Sequence, residues 1–245
     1  MPEYIAGRNP IIEALQSGTF IEKIYVLKGS HGAAIDTIRD LARKRNISCV
    51  DIANDAVSKF GVAVPTQGVI AAVGIKEYCE IEDILQYAAA AGQKPFVLIF
   101  DEIEDPHNLG ALIRTGVCAG AHGGILPKHH SAAVTDTVAR TSAGASAYFP
   151  IAKVTNIVTA IEELKEAGVW IVGTEAQADR PFMELDYKIP IAVVVGNEGK
   201  GMRRLVKEHC DFLAKIPMAG SFDSLNASVA GALVMYEVLR QRTRG

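Results

Sequence analysis

Three features of this 245-residue chain predict an α/β protein in two parts. From Phe96 onward, short apolar runs alternate with helical patterns, and the runs at 96–100 and 191–195 are continuously apolar. Such strands belong to a parallel sheet covered on both faces, since a one-sided sheet would alternate apolar with polar residues. Residues 1–76 carry a separate set of strand and helix patterns, and between the two sets residues 77–93 hold four acids and no base. The expected division is a first domain over 1–76, a connector over 77–94 and a second domain over 95–245, within the usual range of domain sizes.

In the first domain, Asn9 is placed to cap a helix whose first position is Pro10, where a missing N–H costs nothing. Ile11, Ile12, Ala14 and Leu15 give it an apolar face, and Gly18 ends it. Strands are expected over 23–27, 47–50 and 67–73, with a short helix over 54–60. A longer helix over 33–45 has Ile35, Ile38, Leu41 and Ala42 at helical spacing. Ile81, Ile84 and Leu85 have the spacing of a short amphipathic helix, but the acidic, Ala-rich composition around them favours a connector.

In the second domain, strands are expected over 96–100, 123–126, 148–151, 169–173, 191–195 and 212–216. Helices are expected over 108–119 with Asn108 as cap, 135–142, 155–167, 202–209 and 226–241. Asn226 suits the cap of the last helix, because its side-chain oxygen can accept the free N–H groups of a first turn. Ala227, Ser228, Ala230, Gly231 and Ala232 leave that helix thin, so another element can lie close against it.

Composition narrows the function classes. Nearly half the residues are hydrophobic, yet no apolar run approaches the ~20 residues that cross a bilayer, so no membrane partner is expected. Met1-Pro2-Glu3-Tyr4 lacks the basic and apolar regions of a signal peptide. Cys49, Cys79, Cys118 and Cys210 are scattered and read as buried free thiols of a reducing compartment, giving the expectation of a cytoplasmic protein. The six histidines, His129-His130 included, show no ligand spacing, so no metal is expected. A net charge of −3 does not advertise a nucleic-acid partner. Basic residues do cluster at Arg43-Lys44-Arg45, at Lys200, Arg203, Arg204 and Lys207, and at Arg240, Arg242 and Arg244. Those clusters suit phosphate contacts only where the fold gathers them on one face.

Three stretches carry chemistry. In the first, Asn108, Gly110 and Arg114 follow a loop after an apolar strand, and a helix start there favours anions through its free N–H groups. Arg114, six residues beyond Asn108, is long enough to lean back toward that end. In the second, the strand at 191–195 breaks into Gly196-Asn197-Glu198-Gly199-Lys200-Gly201, at the sheet edge where open α/β folds bind ligands. It is neither a P-loop nor a dinucleotide fingerprint, since neither glycine pattern occurs in the chain. In the third, Pro217 stops a strand and a small-residue loop follows, which is either an ordinary strand–loop–helix unit or a ligand loop with Ser224 and Asn226 turned inward.

In this order, N-x-G-x-x-x-R (108–114), V-V-G-N-E-G-x-G (194–201) and I-P-M-x-G-S-x-x-S-L-N-x-S (216–228) resemble the three motifs of the SpoU family. These are SPOUT-class, S-adenosyl-L-methionine-dependent RNA ribose 2'-O-methyltransferases. Residues 1–76, opening with Gly7-Arg8-Asn9-Pro10, look like that family's RNA-binding domain, which is similar to ribosomal protein L30e. The whole looks most like the branch of the TrmH family that methylates a guanosine ribose in large-subunit ribosomal RNA.

The resemblance implies a catalytic parallel sheet whose C-terminal segment is threaded into a deep trefoil knot, and a homodimer packed around that knot. It implies Thr174, Gly196, Ile216 and Leu225 at the cofactor. It also implies Arg114 at the reaction, clamping phosphate and developing oxyanion, with Asn108, Glu198, Ser224 and Asn226 orienting Arg114, ribose and cofactor. Arg8, Arg43, Lys44 and Arg45 are the RNA candidates, and Phe222-Asp223 inside the third motif carries no assigned specificity. The implied substrate is ribosomal RNA, naked or in an assembly intermediate. A transfer-RNA methyltransferase and a non-catalytic RNA-binding protein are the alternatives, separated from it by labelled product and by cofactor binding. A small-molecule nucleotide enzyme would carry a phosphate fingerprint that the chain lacks.

Overall fold

The structure is a computed structural model that describes residues 3–17, 19–45, 47–62, 65–73, 78–220 and 224–243. The expectations placed on Gly18, Phe222, Asp223 and Arg244 lie outside the described residues. The chain divides into two compact units, Met1–Glu77 and Tyr78–Gly245.

The first unit runs β1 (Glu3–Ala6), α1 (Arg8–Ser17), β2 (Ile21–Leu27), α2 (Ala33–Lys44), β3 (Ser48–Ile52), a 3₁₀ turn (Asn54–Phe60) and β4 (Val69–Val73). Its sheet has the order β1-β4-β2-β3, with β2 parallel to β3 and β4 antiparallel to both of its neighbours. Ile11 and Leu15 of α1 and Ile35 and Ile38 of α2 bury against Ile24 and Val26 of β2. Phe60, at the end of the 3₁₀ turn, packs its ring against Tyr4 and Tyr25. Strand β1 has no counterpart in the sequence expectations, since four residues held by pairing to β4 carry no periodic signal. The first helix also starts earlier than expected. The Gly7 carbonyl already accepts from Ile11 N at 3.3 Å, so Asn9 lies inside α1 and is not its cap.

The second unit runs α3 (Ile81–Ala90), β5 (Phe96–Asp101), α4 (Pro106–Cys118), β6 (Gly123–Pro127), α5 (Asp136–Thr141), β7 (Ile151–Val154), α6 (Ile157–Glu166), β8 (Trp170–Thr174), β9 (Arg180–Pro181), β10 (Ile191–Gly196), α7 (Arg204–Glu208), β11 (Phe212–Lys215) and α8 (Ala227–Thr243). Its seven-stranded sheet has the order β7-β6-β5-β10-β8-β11-β9, and every neighbouring pair is parallel. Alternate residues of β5 feed opposite faces, as strand geometry requires. Phe96, Leu98 and Phe100 pack with α4 and α8, whereas Val97 and Ile99 pack with α3, α6 and α7. Gly231 brings α8 down onto α4, because a Cβ there would lie 2.5 Å from Leu112 Cδ2.

Three expectations are corrected here. The stretch 78–94 is not a bare connector: Ile81 and Ile84 of α3 are buried in the core of the second unit. Glu80 and Asp83 close a capping box at its start, a local signal that the acidic composition obscured. The strand expected at 148–151 is displaced to Ile151–Val154, because Tyr148 still belongs to a turn in which its N–H bonds to Ala145 O. The expectation of buried cysteines is not met: Cys118 is exposed, and Cys49, Cys79 and Cys210 are half-buried.

Candidate active site

Helix α4 is capped by Asp105, whose carboxylate accepts from His107 N at 2.9 Å, with Pro106 at the first helical position. Asn108 therefore is not the cap, and its side chain is free for other contacts. Asn226 does cap α8: its carbonyl accepts from Ala230 N at 2.9 Å, and its Oδ1 accepts from Ser228 N at 3.0 Å and Ser228 Oγ at 2.6 Å. With Oδ1 committed, Nδ2 of Asn226 donates to Asn108 Oδ1 at 3.0 Å and to Glu198 Oε2 at 2.9 Å. Asn108 Nδ2 also lies 3.4 Å from Glu198 Oε2. One residue from each motif thus meets at the N-terminal ends of α4 and α8, where the partial positive charge of both helices favours the Glu198 carboxylate.

The loop that presents Glu198 is a tight turn after β10. Asn197 and Gly201 exchange backbone hydrogen bonds of 3.1 and 2.9 Å, and Asn197 Oδ1 accepts from Gly199 N and Lys200 N. Gly196 admits this turn, since a Cβ there would sit 2.5 Å from the backbone of Gly201 and Met202.

Beside the triangle, the carboxyl ends of β8, β10 and β11 open onto a cleft of about 570 Å³. Thr174, Gly196, Ile216 and Leu225 all line it, as do Glu198 and Ser224. Sequence reasoning missed Glu175, Gln177 and Met218 on the same wall. Glu175 is paired with Lys207 Nζ at 3.0 Å, a partnership across the sheet edge that no local spacing reveals. Arg114 makes no hydrogen bond to the triangle among the described residues. It is exposed on α4 and makes no hydrogen bond or ion pair among the described residues.

The RNA candidates separate. Arg45 is half-buried and donates to the carbonyls of Leu15 at 2.9 Å and Thr19 at 2.9 Å, closing the end of α1. Its guanidinium is thus engaged within the first unit. Arg43, 82 % exposed, makes a long contact of 3.5 Å to Asp40, and Lys44 is exposed. Arg8 is held by Gln67, its Nε donating to the Gln67 carbonyl at 3.0 Å, and it lines a hollow with Ser30, His31 and Gly68. Among the described residues there is no cluster of His, Cys, Asp or Glu able to hold a metal, and no helix long and apolar enough to cross a membrane.

A parallel sheet with a ligand-sized cleft and convergent polar side chains at its carboxyl edge has the form of an α/β protein with a small-molecule site there. The sequence pattern of the SpoU rRNA methylase family matches residues 95–236, and that of the RNA 2'-O ribose methyltransferase substrate-binding domain matches residues 4–79. A Bacillus subtilis (strain 168) protein assigned to the TrmH family of tRNA/rRNA methyltransferases, YacO, is 44 % identical over 240 residues, covering 98 % of this chain and 96 % of its own length. The SpoU methyltransferase AviRb of Streptomyces viridochromogenes, solved with S-adenosylmethionine, superposes with a TM-score of 0.69 at 27 % identity, covering 99 % of this chain and 91 % of its own. The S-adenosylmethionine-bound rRNA methyltransferase of Sinorhizobium meliloti gives 0.68 at 26 % identity, covering 97 % and 87 %. The chain belongs to the SpoU rRNA methylase family. It is an RNA 2'-O-ribose methyltransferase, and S-adenosylmethionine is the cofactor bound in both of those solved proteins.

The cleft suits that cofactor. Its volume falls within the roughly 300–1,000 Å³ of small-molecule sites. Ile216, Pro217, Met218 and Leu225 offer an apolar wall for a purine, and Glu198 adds an acidic residue to the same lining.

Proposed function

We propose that this enzyme methylates the ribose of a guanosine in large-subunit ribosomal RNA, presented free or in an assembly intermediate, and that it works in the cytoplasm as a homodimer. The observation that carries the site assignment is the Asn108–Glu198–Asn226 triangle at the lip of the cofactor-sized cleft. Support for ribosomal RNA comes from the family match over residues 95–236 and from the Sinorhizobium meliloti enzyme, which is described as an rRNA methyltransferase.

Thr174, Gly196, Ile216 and Leu225 hold S-adenosylmethionine, which when bound supplies an activated methyl group. Asn108, Glu198, Ser224 and Asn226 orient the acceptor ribose beside it, and fixing that approach accounts for much of the acceleration. Arg114 clamps the adjoining phosphate and the charge that grows on the 2'-oxygen. A guanidinium stays protonated, so it serves as a cation and not as the base. Its exposed position on α4 leaves it open to an incoming RNA.

In the first domain, over residues 1–76, Arg8 in its hollow and the exposed Arg43 and Lys44 take the RNA backbone. The dimer is supported by Val229, Leu233 and Tyr236, which are 48 %, 41 % and 51 % exposed at helical spacing along α8. A knotted threading is in keeping with β10 inserted between β5 and β8 and with the return of α8 onto α4.

The deciding experiment transfers labelled methyl from S-adenosylmethionine to ribosomal and transfer RNA separately, then digests the product to the labelled nucleotide. A ribose-methylated guanosine at one place in large-subunit RNA is expected. Label confined to transfer RNA would keep the chemistry and replace the substrate. Label appearing only with a pre-ribosomal particle would identify the assembly intermediate.

A further inference from the structure

Asp101 and Arg203 do not line the cofactor cleft, yet both hold the loop that carries Glu198. Asp101 ends β5 with no exposed surface, and its carboxylate accepts two hydrogen bonds from one residue, from Arg203 N to Oδ2 at 2.8 Å and from Arg203 Nε to Oδ1 at 2.7 Å, with Arg203 Nη2 in ion-pair contact with the same Oδ1 at 2.7 Å. A carboxylate is kept this deep only where it is paired, and here the backbone N–H of Arg203 holds one oxygen while its guanidinium holds the other, which ties both main chain and side chain of Arg203 to the end of β5. One residue on, Glu102 adopts the left-handed φ of 57°, uncommon for a residue with a side chain, and presents its carbonyl to Asn197 Nδ2 at 3.0 Å.

The turn 197–201 is therefore tied to the end of β5 on both sides, through Asn197 to Glu102 and through Arg203 to Asp101. Glu198 stands at the tip of this turn, and the chain leaving Glu102 leads directly into α4 and Asn108. The same joint thus sets both of the loops whose side chains meet Asn226.

We propose that the Asp101–Arg203 pair is a positioning device for the methyl-acceptor site: it acts through Glu198, holding that carboxylate on the amides of Asn108 and Asn226. Arg203 is then a positioning residue that touches neither reactant. The proposal rests on the reading that Glu198 orients the acceptor.

A double-mutant cycle in steady-state methyl transfer tests it, with Arg203→Ala, Glu198→Ala and the pair, alongside thermal melting. Arg203→Ala is expected to lower kcat roughly 10-fold, with the KM for RNA within about 2-fold, as small misplacements of a reacting geometry do. In the Glu198→Ala background the same change is expected to cost less than about 2-fold, the non-additivity of residues acting as a unit. Arg203→Lys keeps the charge without the Nε donor and restores only part of kcat. Equal losses in both backgrounds overturn the proposal, as does an unchanged kcat in Arg203→Ala. Full activity in Glu198→Ala overturns the role given to Glu198 itself, and the proposal with it. Should Arg203→Ala not fold, Arg203→Lys runs the same cycle under the same criterion.

Discussion

Glu198 receives donors from two asparagine amides, whereas Arg114, on the same helix as one of them, is exposed without a partner among the described residues. That contrast assigns different work to the two charges. On the proposed function, Glu198 belongs to a network built before substrate arrives, and Arg114 acts on the substrate itself. Arg114→Ala is expected to lower kcat by about 10²–10³-fold, the usual cost of a lost donor to developing charge. Its affinity for S-adenosylmethionine, measured by titration calorimetry, should stay within about 2-fold, since differential binding separates the two steps. A parallel loss of affinity and turnover would place Arg114 in the cofactor site instead.

At the scale of the element, the end of α8 is locked by Arg242. Its guanidinium donates to the carbonyls of Tyr187 at 3.0 Å, Lys94 at 2.7 Å, Pro95 at 3.0 Å and Ile189 at 2.8 Å. Truncation leaves these acceptors half-buried without their donor, so Arg242→Ala is expected to cost about 2–3 kcal/mol in urea unfolding. The neighbouring turn holds His122, whose Nδ1 accepts from Phe96 N at 3.0 Å while Nε2 faces Gln93 Oε1 at 2.9 Å. Burial, and next the Arg242 charge, push the His122 pKa below its ordinary value. The unfolded chain therefore binds this proton more readily than the folded one. The stability His122 contributes is full above about pH 6.5, the ordinary value for histidine, and is lost as pH falls through the lowered folded value. Unfolding curves from pH 8 to 5 should show the advantage of the wild type over His122→Gln shrinking as the solution is acidified. An advantage that grew on acidification would contradict this assignment.

At the scale of the molecule, the exposed apolar stripe of Val229, Leu233 and Tyr236 lies along the helix that Asn226 caps. Self-association through this stripe would shield the start of α8 and couple assembly to the site. Leu233→Glu places a charge in that stripe and is expected to give a monomer in sedimentation, with turnover reduced at least about 10-fold and the melting temperature little changed, since Leu233 is 41 % exposed. A dimer that survives the substitution would move the interface elsewhere.

Legibility in the sequence tracked the reach of the signal. The strands after Phe96 and the capping by Asn226 were readable because apolar runs and cap chemistry are written within a few residues. The cap of α4 was misplaced although Asp105-Pro106 announces it locally, and that error hid the freedom of Asn108. Arg45 was assigned to RNA because its acceptors, Leu15 and Thr19, lie 30 and 26 residues earlier in the chain. The sequence by itself determined the α/β class, the order of the three motifs and the family they resemble. Only the tertiary structure decided that β10 enters between β5 and β8, that Asn108, Glu198 and Asn226 share one carboxylate, and that Asp101 grips Arg203. The physical reason is that hydrogen bonds spanning 28 to 118 residues are selected by which strands become neighbours, and local propensity carries no record of that choice.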